Sequence, residues 1–114
     1  MKFKPATGDL LGVAVSPRNM CVEWNECGRV VFSFAKRGLA ISGHFSADRK
    51  GSRNIKAAIN DFCDWAFYAF EWCTMMMAMI QKPSVERLVL KCGFTHLASS
   101  EESEIYVRLR QWVK

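Results

Sequence analysis

The run Ser46–Ile59, SADRKGSRNIKAAI, puts four basic residues and one glycine between a strand-like segment and a long amphipathic one. From Ile55 onward the apolar residues Ile55, Ala58, Ile59, Phe62, Trp65, Ala66, Ala69 and Phe70 recur at three-and-four spacing. That period belongs to a helix with one buried face, capped by Ser52 or Asn54. Before the run, Leu39–Phe45 is rich in β-formers and contains Gly43, which suggests a bulge or a close backbone approach. A strand passing through a glycine turn into a helix leaves backbone N–H groups unpaired at the positive end of the helix dipole. This is either a solvated turn or an anion site, with Gly51 allowing close approach and Arg49, Lys50 and Arg53 adding charge.

The rest of the chain fits the same unit. Met20–Trp24 and Arg29–Lys36 read as strands upstream. The apolar run Cys73–Ile80 has the length of a central strand. Gln81-Lys82-Pro83 breaks it, and Ser84 caps a second helix that stops at Gly93. Phe94–Ala98 and Glu104–Val113 read as two final strands, and Thr7–Leu11 as a short helical turn. The expected fold is α/β, a mixed and mostly antiparallel six-stranded sheet with two main helices, forming one domain over residues 1–114.

Composition narrows the function classes. Half the residues are apolar and 24% are charged, an ordinary globular balance. No apolar run approaches the roughly 20 residues needed to cross a bilayer, and Pro5, Gly8 and Asp9 interrupt the N-terminal patch. No membrane partner is expected. Five cysteines without a CxxC pair argue against a disulfide framework or a zinc site, and suggest a reduced, cytoplasmic chain. Cys63, Cys73 and Cys92 read as core residues, and the tryptophans, Trp112 included, as packing. The net charge is +5, and six of the sixteen Lys and Arg lie between Lys36 and Lys56 with Asp48 the lone acid among them. Such a segment suits a phosphate-bearing ligand. A nucleic-acid partner is disfavoured because no aromatic residue lies between Arg49 and Lys56 to stack a base.

The order strand, basic glycine turn, amphipathic helix, apolar strand, then Lys82–Phe94 (KPSVERLVLKCGF) resembles the GNAT superfamily of acyl-CoA N-acyltransferases. The closing Cys92-Gly93-Phe94 is similar to the end of that family's final helix. The resemblance spans about residues 29 to 112, strongest over 46 to 94, and looks closest to compact bacteriophage-encoded members, shortened at the N-terminus. It implies acetyl-CoA as cofactor, with its pyrophosphate on Arg49, Lys50, Gly51, Ser52, Arg53 and Asn54. The pantetheine arm would lie between the third and fourth strands near Phe45, Ala47 and Met79. With Gly51 as the motif's first glycine, Asp48 stands where the family has Gln or Arg, and Arg53 where it has a small residue. Val89 and Lys82 replace the family's Tyr and Asn.

The implied activity is transfer of an acetyl group to an amine acceptor, in a host cytoplasm if the chain is phage-encoded. Amine attack needs a base. His44 and Glu23 are the candidates, and Tyr106 is a candidate acid; a bland structural role is open to each. The alternative is a catalytically inactive interaction protein of the same fold that binds a host protein, which the altered turn and missing Tyr favour. The coenzyme expectation requires the amides of residues 51 to 54 to be free for an anion. Were the protein's own groups to occupy them, the fold would serve as a scaffold.

Overall fold

The computed structural model describes residues 2–13 and 16–111. In chain order these are β1 (Phe3–Pro5), β2 (Met20–Trp24), β3 (Val30–Arg37), β4 (Ala40–Ala47), α1 (Arg49–Arg53), α2 (Ile55–Ala69), β5 (Met75–Ile80), α3 (Pro83–Lys91), β6 (Thr95–Ser99) and β7 (Glu104–Leu109). One sheet runs β1-β2-β3-β4-β5-β7-β6. Its neighbours are antiparallel except β4 and β5, which α1 and α2 join in parallel. The α/β architecture with a mostly antiparallel sheet matches the expectation, with seven strands rather than six. The added strand is β1, where Phe3 pairs with Trp24 in place of any local helical signal.

α2 lays Ala58, Ile59, Phe62, Cys63 and Ala66 onto one face of the sheet. Phe62 is the centre of that contact. Its ring stacks on Phe32 at 4.4 Å and meets Phe34 edge-on at 5.3 Å and Phe3 at 5.9 Å. Trp24 is buried and donates its indole N–H to Asp61 on the helix. Cys63, Cys73 and Cys92 lie in the core, and burial pushes the Cys63 thiol up to about 12. The final residues of the strand expected through Val113, and Trp112 with them, lie outside the described residues.

Helix ends show two corrections. Asp48, not Ser52 or Asn54, caps the helical segment after β4, and Asn54 is where α1 yields to α2. α3 begins at Pro83 behind Lys82, because proline at the first helical position loses no intrahelical bond. At the other end Gly93 takes a left-handed φ of 84°, and the Phe94 amide returns to the Val89 carbonyl at 3.0 Å. Arg110, just past β7, donates to the carbonyls of Phe67, Phe70 and Cys73 and so satisfies the C-terminal end of α2. Gly43 sits in unbroken register with Phe34, so it makes no bulge. Residues 7–11 form no helix. Among the described residues, no helix is long and apolar enough to cross a membrane.

Candidate functional site

β4 and β5 pair over only three positions, from Ala40–Met75 to Ser42–Met77. Beyond these, β4 stays with β3 as far as Ala47, and β5 stays with β7 as far as Ile80. The two strands therefore diverge. Where they part, the residues on the α2 side are Gly43 and Ala78, too small to fill the gap. The result is a cleft of about 630 Å³ lined by Gly43, His44 and Phe45 on one wall and Ala78, Met79 and Ile80 on the other. Gln81, Lys82, Val85, Val89, Glu102 and Ser103 complete the lining. Phe45 points to the α2 side, 6.2 Å from the Phe32 ring. His44, next along the strand, is exposed on the other side.

The basic turn is closed rather than open. The Asp48 carboxylate accepts from the Gly51 amide at 2.7 Å and from the Arg29 amide at 3.0 Å. Those two bonds hold the Asp48 carboxyl below its ordinary range. The Asp48 amide donates to the Arg29 carbonyl at 3.0 Å, Ser52 to the Asp48 carbonyl at 2.8 Å, and Asn54 to the Gly51 carbonyl at 3.0 Å. Gly51 is buried: a β-carbon there would stand 2.5 Å from the Arg29 carbonyl oxygen. A β-carbon on Gly28 would stand 2.1 Å from the Gly51 nitrogen. Gly51 thus makes room for the backbone of the β2–β3 turn. The expected convergence of residues 51–54 on an anion is not what the geometry presents. The residues Arg49, Lys50, Ser52 and Arg53 remain exposed, and Asn54 donates its side-chain amide to the Lys50 carbonyl.

The other candidates separate. Glu23 is buried on β2 and ion-paired to Arg29 at 2.6 Å and Lys4 at 3.6 Å. Burial alone would raise its carboxyl, but the Arg29 hydrogen bond and charge, with Asn25 and Lys4, hold it below the ordinary value. Arg29 also donates to the carbonyls of Thr7 and Asp9, and Ser46 to that of Leu11, tying residues 7–11 across the sheet. Glu23 is therefore an anchor for that segment, and its geometry does not offer a free base. A carboxyl lowered in the folded state contributes stability above its unfolded value of about 4.3, and the contribution disappears as pH falls through the folded value. Urea midpoints should accordingly fall less steeply between about pH 5 and 3 in Glu23→Gln than in the native chain. Equal slopes would remove this role.

Tyr106 lies buried on β7 and donates to Glu86 on α3 at 3.2 Å. Burial first, then the Glu86 charge and hydrogen bond, raises the phenol further above its usual value. It does not line the cleft. The structure brings together His44, Phe45 and Met79; Ala47 ends the same strand without lining the space. Sequence reasoning missed Glu102 and Ser103, because the 99–103 turn carries only a generic polar signal. It also passed over Asp48 as a cap, although aspartate three residues before a buried amide is an ordinary capping pattern.

No family model matches the chain, and no curated protein matches it in sequence. Solved structures do match in shape. The N-acetyltransferase PseH of Campylobacter jejuni superposes with a TM-score of 0.64 at 11% identity, covering 84% of this chain and 71% of its own. Its complex with acetyl coenzyme A gives 0.65 at 13% identity, with the same coverage. A spermidine N-acetyltransferase SpeG variant from Vibrio cholerae gives 0.60 at 11% identity, covering 82% and 67%. A GNAT-family acetyltransferase from Bacillus anthracis gives 0.57 at 14%, covering 81% and 66%. At these identities the likeness speaks for architecture: the chain has the fold of the GNAT N-acetyltransferases.

Proposed function

We propose that the protein transfers an acyl group from a pantetheine thioester, such as acetyl-CoA, to an amine. The observation that carries this reading is the divergence of β4 and β5 beyond Ser42–Met77, which opens a cleft flanked by an exposed histidine. Phe45 and Met79 border the arm of the thioester. The amine nitrogen attacks the acyl carbon; the C–N bond forms, the C–S bond breaks, and the thiolate leaves with the sulfur electron pair. His44 takes the proton lost by the nitrogen. Backbone amides near Met79 face the oxyanion of the tetrahedral intermediate. The thiolate is protonated from solvent, since the Tyr106 hydroxyl is committed to Glu86. Glu102, on the cleft wall, supplies a negative charge that favours a cationic acceptor.

The closed turn favours a second reading, an inactive scaffold that binds a host protein. On this reading the exposed apolar residues Met79, Leu97 and Leu109 on β5, β6 and β7 form the contact surface. Thiol release from acetyl-CoA, followed with a panel of primary amines, separates the two. Amine-dependent release above the buffer rate is expected. A folded protein that releases no thiol with any amine leaves only the scaffold.

A further inference from the structure

The closure of the turn bears on which donors the cleft can accept. The GNAT resemblance implies that a donor's nucleotide diphosphate would be held by the amides at the β4–helix junction. Here the Gly51 amide is held by the Asp48 carboxylate, and the Gly28–Arg29 backbone packs directly on Gly51. The Asp48 amide is bonded to the same Arg29. Two contacts from the Gly28–Arg29 turn, about twenty residues upstream, and the Asp48 carboxylate, itself an anion, therefore fill the place a phosphate would take. The cleft does not share this closure, for none of the residues 46–54 lines it. What fits the arm and what fits the diphosphate have been uncoupled. Arg49, Lys50 and Arg53 still surround the junction as exposed side chains. Exposed charges of this kind attract any anion through solvent, without shape and with strong screening by salt.

Resting on the acyl-transfer reading, we infer that the protein recognises the acyl-pantetheine arm and not the nucleotide diphosphate, so that its donor class is the pantetheine thioester whatever that arm is attached to. The nucleotide half of acetyl-CoA stays outside, met by side-chain charge alone.

Calorimetric titration of the full chain with S-acetylpantetheine, S-acetyl-4′-phosphopantetheine and acetyl-CoA, at low and at about 0.5 M salt, tests this. At high salt the three Kd values are expected to agree within about threefold, because the screened side chains no longer distinguish them. At low salt the two phosphorylated donors gain together. An acetyl-CoA preference of tenfold or more that survives high salt overturns the inference while leaving acyl transfer standing. Absence of binding by all three overturns both. Asp48→Asn keeps an acceptor for the Gly51 amide and removes the charge. It is expected to leave the high-salt agreement unchanged, since the Gly28–Arg29 backbone still covers the turn. A selective tenfold gain for acetyl-CoA in this variant would show that charge alone guards a usable diphosphate site, and would also overturn the inference.

Discussion

Replacing Gly28 by alanine should destabilise the protein by about 3 kcal/mol or more, among the larger effects available to a single added methyl group. Two costs combine. Gly28 has a φ of 81°, where an L-residue loses roughly 1–2 kcal/mol. The new β-carbon would also stand 2.1 Å from the Gly51 nitrogen and 2.6 Å from the Lys50 carbonyl carbon. Both are backbone atoms, so no side chain can swing aside, and the β2–β3 turn must lift from the helix start. Gly38 provides the control. Its φ is 62° and nothing lies within 4 Å of an added β-carbon, so Gly38→Ala should cost only the conformational part, about 1 kcal/mol. Urea unfolding of both variants beside the native chain measures the difference. If the two losses are equal, the turn is not packed as described and the diphosphate site is open.

His44→Ala should lower kcat by about 10²–10⁴-fold, the usual contribution of a positioned base, with little change in the KM for the thioester. His44 stands where β4 has left β5, exposed on the cleft wall. The chain's second histidine is a natural comparison. His96 is bonded to Glu104 at 2.7 Å and packs against the Tyr106 ring on β6 and β7. His96→Ala should leave kcat within about twofold. Chemical rescue gives a readout that a merely structural role would not move: added imidazole should restore part of the thiol-release rate in His44→Ala. Full activity in His44→Ala would remove the base from the mechanism.

Much of the fold is legible locally. The three-and-four spacing from Ile55 to Ala69 specifies α2 and its buried face, and the methionine run specifies β5 by its length between breaks. Gly93 marks the end of α3 because only a left-handed residue closes that turn cheaply. What fails to show locally depends on distant partners. Phe3–Pro5 is too short to declare itself, and becomes a strand only because β2 offers an edge. Gly51 illustrates the same limit at the site. A glycine beside basic residues fits a phosphate as well as it fits a neighbouring backbone, and the deciding atoms belong to Arg29, twenty-two residues earlier. Glu23 likewise could be a base or an ion-pair anchor until Arg29 and Lys4 are placed. His44 reaches the cleft wall by its place on β4, while Glu102 needed the tertiary structure to bring the 99–103 turn to the cleft.

The order in which the sheet is completed differs from the order in which the chain is made. β7 inserts between β5 and β6, so during synthesis β6 emerges with no described strand to pair with, and β5 waits with one side bare. All five residues of β6 are exposed even in the finished fold. A chain lacking residues 104–109 would therefore present an unfilled slot with a methionine-rich wall, the kind of surface on which chaperones act and aggregates start.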